Sequence, residues 1–307
     1  MTEGAGQATT TSVERVCTII ICSLAIIERA ASLERAIRSV LEGNVSTPSV
    51  LVVVNGNRFD RTLLATLRAR TDIEVLQIST ASLSDAIAAG RRAISTPFFG
   101  FLDDDDEYLP GAVDLRLSLL DKHPEASLVG TNGYRHLNGV DEKVMSHIDL
   151  VSSDPLTALF REPWLGSCSA LYRAASMPNE MFDNIARYLE WTWLAFVIST
   201  AGKRVVTADV PTFRIFDTAG SESKSDAYMQ AQIAIFERML KLVESATIRA
   251  KLETRIRDSW HNRAVAALRG GESKEAMLCH LRCLRSRGGW RYLSFTRHLI
   301  PGWPQSL

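Results

Sequence analysis

Several absences narrow what this 307-residue sequence can be. It has no net charge, since 35 Lys and Arg balance 35 Asp and Glu. A long-range field that recruits nucleic acid is therefore missing, and no nucleic-acid partner is expected. Cysteine is scarce: Cys17, Cys22, Cys168, Cys279 and Cys283 are odd in number and none stands in a C-x-x-C pair suited to zinc. That usage points to a reducing cytoplasm. The apolar stretch from Thr18 to Ile27 falls short of the roughly 20 residues a spanning helix needs. No small-residue cleavage site follows it cleanly, so it reads as a buried strand. Glycine is missing from Ser23 to Ala31, which removes a Gly-rich phosphate loop after that strand and argues against a nucleotidyltransferase.

What is present is an ordinary globular mixture, 46% hydrophobic and 23% charged, outside the range of disordered chains. Residues 1–13 read as a loose leader. From there β-branched runs alternate with amphipathic stretches, as in successive βα units on a mostly parallel sheet. Strands are expected at 16–22, 50–54, 73–78 and 98–102. Between them lie a helix capped by Ser32, one carrying Leu63, Leu64 and Leu67, and one opened by Ser84-Asp85. Pro155 and Pro163 interrupt the pattern between Asp149 and Arg173, where loops and short elements are expected. A helix follows over 185–199, then short strands at 205–206 and 213–216 and a mobile polar loop over 221–225. Beyond Asp226 periodicity predicts helices over 228–243, 248–268 and 274–284. The expected division is an α/β domain over 14–225 and a helical C-terminal subdomain over 226–307.

Chemistry concentrates at the end of the fourth predicted strand, in Asp103-Asp104-Asp105-Asp106. Adjacent carboxylates repel, and a cation, a turn or open solvent must relieve them. Open α/β sheets place ligands at this edge, and hard oxygens suit Mg²⁺ or Mn²⁺ with a diphosphate completing the shell. A solvated turn before Pro110-Gly111, capping the helix near Ala112, is the plainer alternative. Asn55-Gly56-Asn57 could offer an amide to a nucleobase or be a simple turn. Glu190, among Tyr188, Trp191 and Trp193, is either a partly desolvated base or a surface glutamate on a helix whose tryptophans pack inward. The stretch from Ala276 to Leu307 has no acidic residue but carries Arg282, Arg285, Arg287, Arg291 and Arg297 among Trp290, Tyr292, Phe295 and Trp303. It suits an anionic membrane surface, a phosphorylated lipid acceptor, or a helix packed on the enzyme.

The run Thr96-Pro97-Phe98-Phe99-Gly100-Phe101-Leu102-Asp103-Asp104-Asp105-Asp106-Glu107-Tyr108-Leu109-Pro110-Gly111 resembles the family-two glycosyltransferases of GT-A fold. Ser32 to Leu41 is similar to that family's first helix, and the likeness extends over about 16–225. The resemblance implies a GT-A fold and an inverting hexosyltransferase reaction. An acceptor hydroxyl attacks the anomeric carbon of a nucleoside-diphosphate sugar, a UDP-sugar first, while the diphosphate leaves bound to Mn²⁺ or Mg²⁺. By position it implies Ser23 and Leu24 along the base, Asn55 at its edge, and Asp103 and Asp104 at ribose and diphosphate. Asp105 becomes the principal metal ligand and Glu190 the base. Gly166 and Ser167 approach the sugar, while Arg214, Asp217, Ser221 and Lys224 belong to a loop over the diphosphate, with Asp217 a further metal ligand. Cys22 stands where a proline is usual, Asn55 where an aspartate is common, Ile87-Ala88 where an Arg-Asn pair is frequent, and Trp191 where an aspartate often follows. The acceptor implied is a glycan, a lipid-linked sugar or a protein, in polysaccharide or glycan synthesis. The setting is the cytoplasm, at the inner membrane surface if the C-terminal tail touches it. A non-catalytic nucleotide-sugar-binding or scaffolding protein of the same fold is the alternative.

Overall fold

The computed structural model describes residues 15–217 and 226–300. The expected leader, Ser221, Lys224 and Trp303 lie outside them. Four β-branched or aromatic runs form the parallel half of the sheet: β1 (Cys17–Ser23), β2 (Ser49–Asn55), β3 (Glu74–Ile78) and β4 (Phe98–Asp103). Their connections are α1 (Ala30–Leu41), α2 (Arg61–Ala69) and α3 (Leu83–Ala93). β1 lies between β2 and β4, with β3 outside β2. The chain thus travels outward from β1 to β3 and then returns across β1 to place β4. That reversal opens a crevice at the carboxyl ends of β1 and β4. Register puts Cys22 opposite Asp103 there, so the acidic run emerges at the switch point.

The rest of the sheet is mixed. β5 (Glu107–Tyr108) precedes α4 (Ala112–Lys122), followed by β6 (Leu128–Leu137), β7 (Val140–Lys143), α5 (Pro155–Leu159) and β8 (Ala170–Arg173). α6 (Glu190–Thr200) leads into β9 (Val205–Phe216). The order across the sheet is β3-β2-β1-β4-β8-β6-β9-β5, with β7 on β6. Three corrections to the local expectations have clear causes. Ser82, rather than Ser84, caps α3 by accepting the Asp85 N–H, and Ser32 sits inside α1, where its hydroxyl donates to the Arg29 carbonyl. The two short strands foreseen near 205 and 213 are one strand, because parallel pairing with β6 carries the chain through Asp209-Val210-Pro211 with register shifts that absorb the proline.

One close approach on β6 is decisive for packing. A Cβ added to Gly133 would lie 2.3–2.5 Å from the ring of buried Phe213, a separation no carbon pair tolerates. Gly133→Ala is therefore expected to lower stability by about 1–3 kcal/mol, read as a reduced urea midpoint at unchanged slope.

The C-terminal helices are α7 (Asp226–Leu242), α8 (Ala246–Arg269) and α9 (Ser273–Arg285), followed by a 3-10 helix over Gly289–Leu299. Ile233, Phe236, Met239, Ile248 and Leu252 join the same apolar core as β1 and β4. Ala264, Cys279 and Phe295 form a separate small cluster farther along. α7 and the first half of α8 are therefore packed into the α/β body.

Candidate active site

The four aspartates leave β4 in a turn closed by the Asp106 N–H donating to the Asp103 carbonyl at 3.2 Å. The turn sends alternate side chains to different partners. Asp103 accepts from the Ser167 hydroxyl at 2.7 Å. Asp104, buried, accepts from the Ser23 hydroxyl at 2.6 Å and pairs with Arg29. Asp106 is buried under β9, where the Phe216 N–H donates to it at 3.0 Å. One carboxylate oxygen from each of Asp103, Asp105 and Asp106 lies within 4.8 Å of the others.

Burial and mutual repulsion dominate the electrostatics of this group. Burial raises the carboxyl of Asp103, and the charges of Asp105, Asp104 and Glu190 raise it further against the opposing Ser167 hydrogen bond. Asp106 is raised by burial and by Asp103 and Asp105. Asp104 is raised by burial as well, with the Arg29 guanidinium pulling the other way. Arg29 also lies 3.8 Å from Asp105, and Arg35 donates to the Asp105 carbonyl. These two cations compensate part of the charge. A hard divalent ion fits the rest: three convergent carboxylates supply oxygen ligands, and binding would displace the protons that burial and crowding favour.

A solvated turn does not describe this arrangement, because Asp104 and Asp106 are withdrawn from water. Asp103, Asp104 and Asp105 form one wall of a cleft of about 480 Å³. Ser23, Leu24, Asn55, Asp103, Asp104 and Asp105 line it as the sequence suggests, and Glu190 joins them from α6. The predicted helix over 185–199 starts only at Glu190, because the preceding Tyr188 takes a left-handed φ of 72° that helical backbone cannot accommodate. Glu190 is thereby placed at a helix N-terminus, where a negative charge is favoured. It is buried, and Oε1 accepts from the Ser84 hydroxyl at 3.2 Å and from the Tyr188 N–H at 3.0 Å. The expected inward-packing tryptophans are there too: Trp193 is buried and Trp191 packs edge-on to Phe101 at 5.3 Å.

Asn55 ends β2 with its side-chain orientation fixed by chemistry. Its Oδ1 accepts from the Ser82 N–H at 2.7 Å, and a backbone N–H can only donate, so the oxygen must face Ser82 and the Nδ2 donors point elsewhere. Ser167 is drawn to the acids by Asp103 and held from behind by buried Arg116, which donates to the neighbouring Cys168 carbonyl at 2.6 Å. Gly166 accompanies it in the same tight turn, its N–H donating to Ser169. Arg214 stands apart from the cleft lining, its guanidinium shared between Glu107 and Asp141. Asp217 is exposed just beyond β9, next to the Phe216 that binds Asp106.

Sequence reasoning missed Arg29, Arg58, Arg187 and Tyr228, which also line the cleft. Arg29 ends a short 3-10 helix, Ile27–Arg29, between β1 and α1, where its position beside the acids depends on the register of β1 on β4. Tyr228 arrives from α7, some 120 residues after the acidic run, and its phenol is raised by burial and by the charge of Glu190. Periodicity carried no signal for that contact.

A family model described as glycosyl transferase family 2 matches residues 18–185, more than half of the chain. The chain belongs to glycosyl transferase family 2. Solved structures agree on the architecture of this family-2 chain. S. aureus TarS 1-349 in complex with UDP-GlcNAc has a TM-score of 0.59 at 12% identity, over 88% of this chain and 80% of that one. The same protein in complex with UDP gives 0.53 at 13% identity, over 93% and 81%. At such identities the likeness establishes a shared GT-A fold. No curated protein matches the sequence. As a glycosyltransferase of this family, the chain is a transferase acting on glycosyl groups, and its acidic cleft is the place to seek that chemistry.

Proposed function

We propose that this glycosyltransferase moves a sugar from a nucleoside-diphosphate sugar to an acceptor hydroxyl with inversion at the anomeric carbon. The single observation that carries the reading is the convergence of Asp103, Asp105 and Asp106, the first two lining the same cleft as the buried carboxylate of Glu190. Asp103, Asp105 and Asp106 would hold Mn²⁺ or Mg²⁺, with Asp217 a further ligand from the end of β9. When bound, the ion supplies positive charge to the departing diphosphate. The chain's own residues do the remainder. Asp104, tied to Ser23 and Arg29, would face the ribose and keep the turn rigid. Gly166 and Ser167 would border the sugar. Glu190 would take the proton of the acceptor hydroxyl, so that attack on the anomeric carbon opposes departure of the diphosphate. Lys224 is proposed to meet the diphosphate, whereas Arg214, held in β9 by Glu107 and Asp141, is left out of that site.

A UDP-sugar is the first donor to test, since the similar TarS structures hold UDP-GlcNAc and UDP. Asn55 sets a condition on how the base is read. With Oδ1 committed to Ser82, its free choice is donation, which suits a carbonyl or unprotonated ring nitrogen and opposes the N3–H of uracil. Asn55→Asp reverses that preference. The variant is expected to shift relative affinity toward UDP over CDP by roughly tenfold, about the worth of one hydrogen bond to the base, measured by calorimetric titration with both nucleotides. An unchanged ratio would remove Asn55 from base recognition.

The acceptor class proposed is a glycan, lipid-linked sugar or protein, in polysaccharide or glycan synthesis. A cytoplasmic setting goes with five cysteines held as free thiols. The deciding experiment incubates the protein with Mn²⁺, Mg²⁺ or a chelator and a panel of labelled nucleotide sugars, then follows slow donor hydrolysis. Metal-dependent cleavage of one donor is the expected result. Donors that bind without any turnover, whatever acceptor is supplied, would favour a sugar-nucleotide-binding protein or scaffold over an enzyme.

A further inference from the structure

The basic and aromatic C-terminal stretch suits two readings by sequence, a packing helix or a membrane-facing one, and its elements have one packed face and one exposed face. α9 buries Ala276, Cys279, His280 and Cys283, a spacing of three and four that lays one side of the helix on the protein. Its other side leaves Leu278 and Leu281 exposed, at 56% and 41%. The 3-10 helix that follows buries Gly289 and Phe295. With three residues per turn, Trp290 and Leu293 stack along one line, exposed at 68% and 58%. Arg291 and Arg297 form the adjacent line, both exposed.

Charge on this surface has one sign. No carboxylate occurs between Ala276 and Leu307, while Arg282 and Arg285 stand exposed beside Leu278 and Leu281. Three acids on the supporting elements are engaged: Glu275 with Arg263, Asp258 with Arg257, and Glu253 with Arg287. We infer that the outer face of α9 and the 3-10 helix is a docking surface for an anionic phospholipid bilayer. Apolar side chains enter the headgroup boundary while long arginine stems carry guanidinium groups to lipid phosphates. An exposed tryptophan amid arginines is suited to that boundary, where one end of the ring meets hydrocarbon and the N–H meets water. Among the described residues no helix is long and apolar enough to cross a membrane, so the contact is peripheral. The inference is independent of which donor the cleft takes.

The test is co-sedimentation of the full chain with vesicles of phosphatidylcholine alone or of phosphatidylcholine and phosphatidylglycerol in equal parts. Binding to the anionic vesicles is expected, weakened by added salt. Trp290→Ala with Leu293→Ser, and separately Arg285→Gln with Arg291→Gln, should each reduce it by about tenfold or more. These side chains face outward, so thermal unfolding and donor hydrolysis should match the wild type. The arginine pair keeps the test valid if the apolar pair disturbs folding. Equal binding to both vesicle types, binding unaffected by the arginine pair, or loss of self-association or of RNA-oligonucleotide binding in the variants without any vesicle binding would each overturn the inference.

Discussion

Asp105→Ala is expected to abolish metal-dependent donor cleavage, lowering kcat on the order of 10²–10³-fold or more, the loss found when one preorganised electrostatic contact to a developing charge is removed. Asp105 is the choice within the run because its neighbours have other employment. Asp104 is bound to Ser23 and Arg29, and Asp106 accepts from the β9 backbone, so removing either would disturb folding as well as chemistry. Arg35 holds the Asp105 carbonyl, and the Asp105 side chain makes a 3.8 Å ion pair to Arg29. Truncating its side chain should leave the turn in place. Calorimetric Mn²⁺ titration separates the explanations: weakened metal binding with an intact thermal transition supports ligation, while full metal affinity in the variant would oppose it. Removing one negative charge also relieves Asp103 and Asp106 of part of their crowding. The metal-free variant is accordingly expected to unfold no earlier than the wild type. That outcome is opposite to the destabilisation usual for truncating a structural residue.

The parallel half of the sheet was legible because each strand there is a continuous apolar run bounded by turn residues. Strands β1, β2, β3 and β4 fall within a residue or so of their expected ends. The mixed half was not. β6 reads Leu-Val-Gly-Thr-Asn-Gly-Tyr-Arg-His-Leu, with two glycines and an asparagine that local propensity disfavours. It is a strand because Gly133 admits the Phe213 ring and Asn132 satisfies the Met145 backbone, both matters of tertiary contact. The same division runs through the site. Asp103 to Asp106, Ser23 and Asn55 end strands, so topology placed them, and Glu190 follows from its neighbours. Tyr228 and Arg187 reach the cleft only through packing of α7 and of the segment before α6, which no motif encodes. Arg214 shows the converse. Its position suggests a phosphate ligand, yet Asp141 on β7, a strand the sequence does not announce, engages it.

Glu190→Gln tests the other end of the chemistry with little change of shape. The amide oxygen of glutamine can still accept from Ser84 and from the Tyr188 N–H, so the start of α6 should keep its geometry. What disappears is a group able to accept a proton. Transfer to an acceptor is expected to fall by about 10²–10⁴-fold, the range for loss of a general base, while donor affinity and Mn²⁺ binding stay near wild type. A structural role predicts a different pattern, in which donor affinity and thermal stability fall together with turnover. Tyr228 adds a control, since its phenol feels the Glu190 charge. Neutralising residue 190 removes one of the two influences that raise the phenol, so Tyr228 should ionise at lower pH in Glu190→Gln. A variant that keeps full transfer while Tyr228 shifts in this way would show that the charge was removed and that proton acceptance lies elsewhere in the cleft.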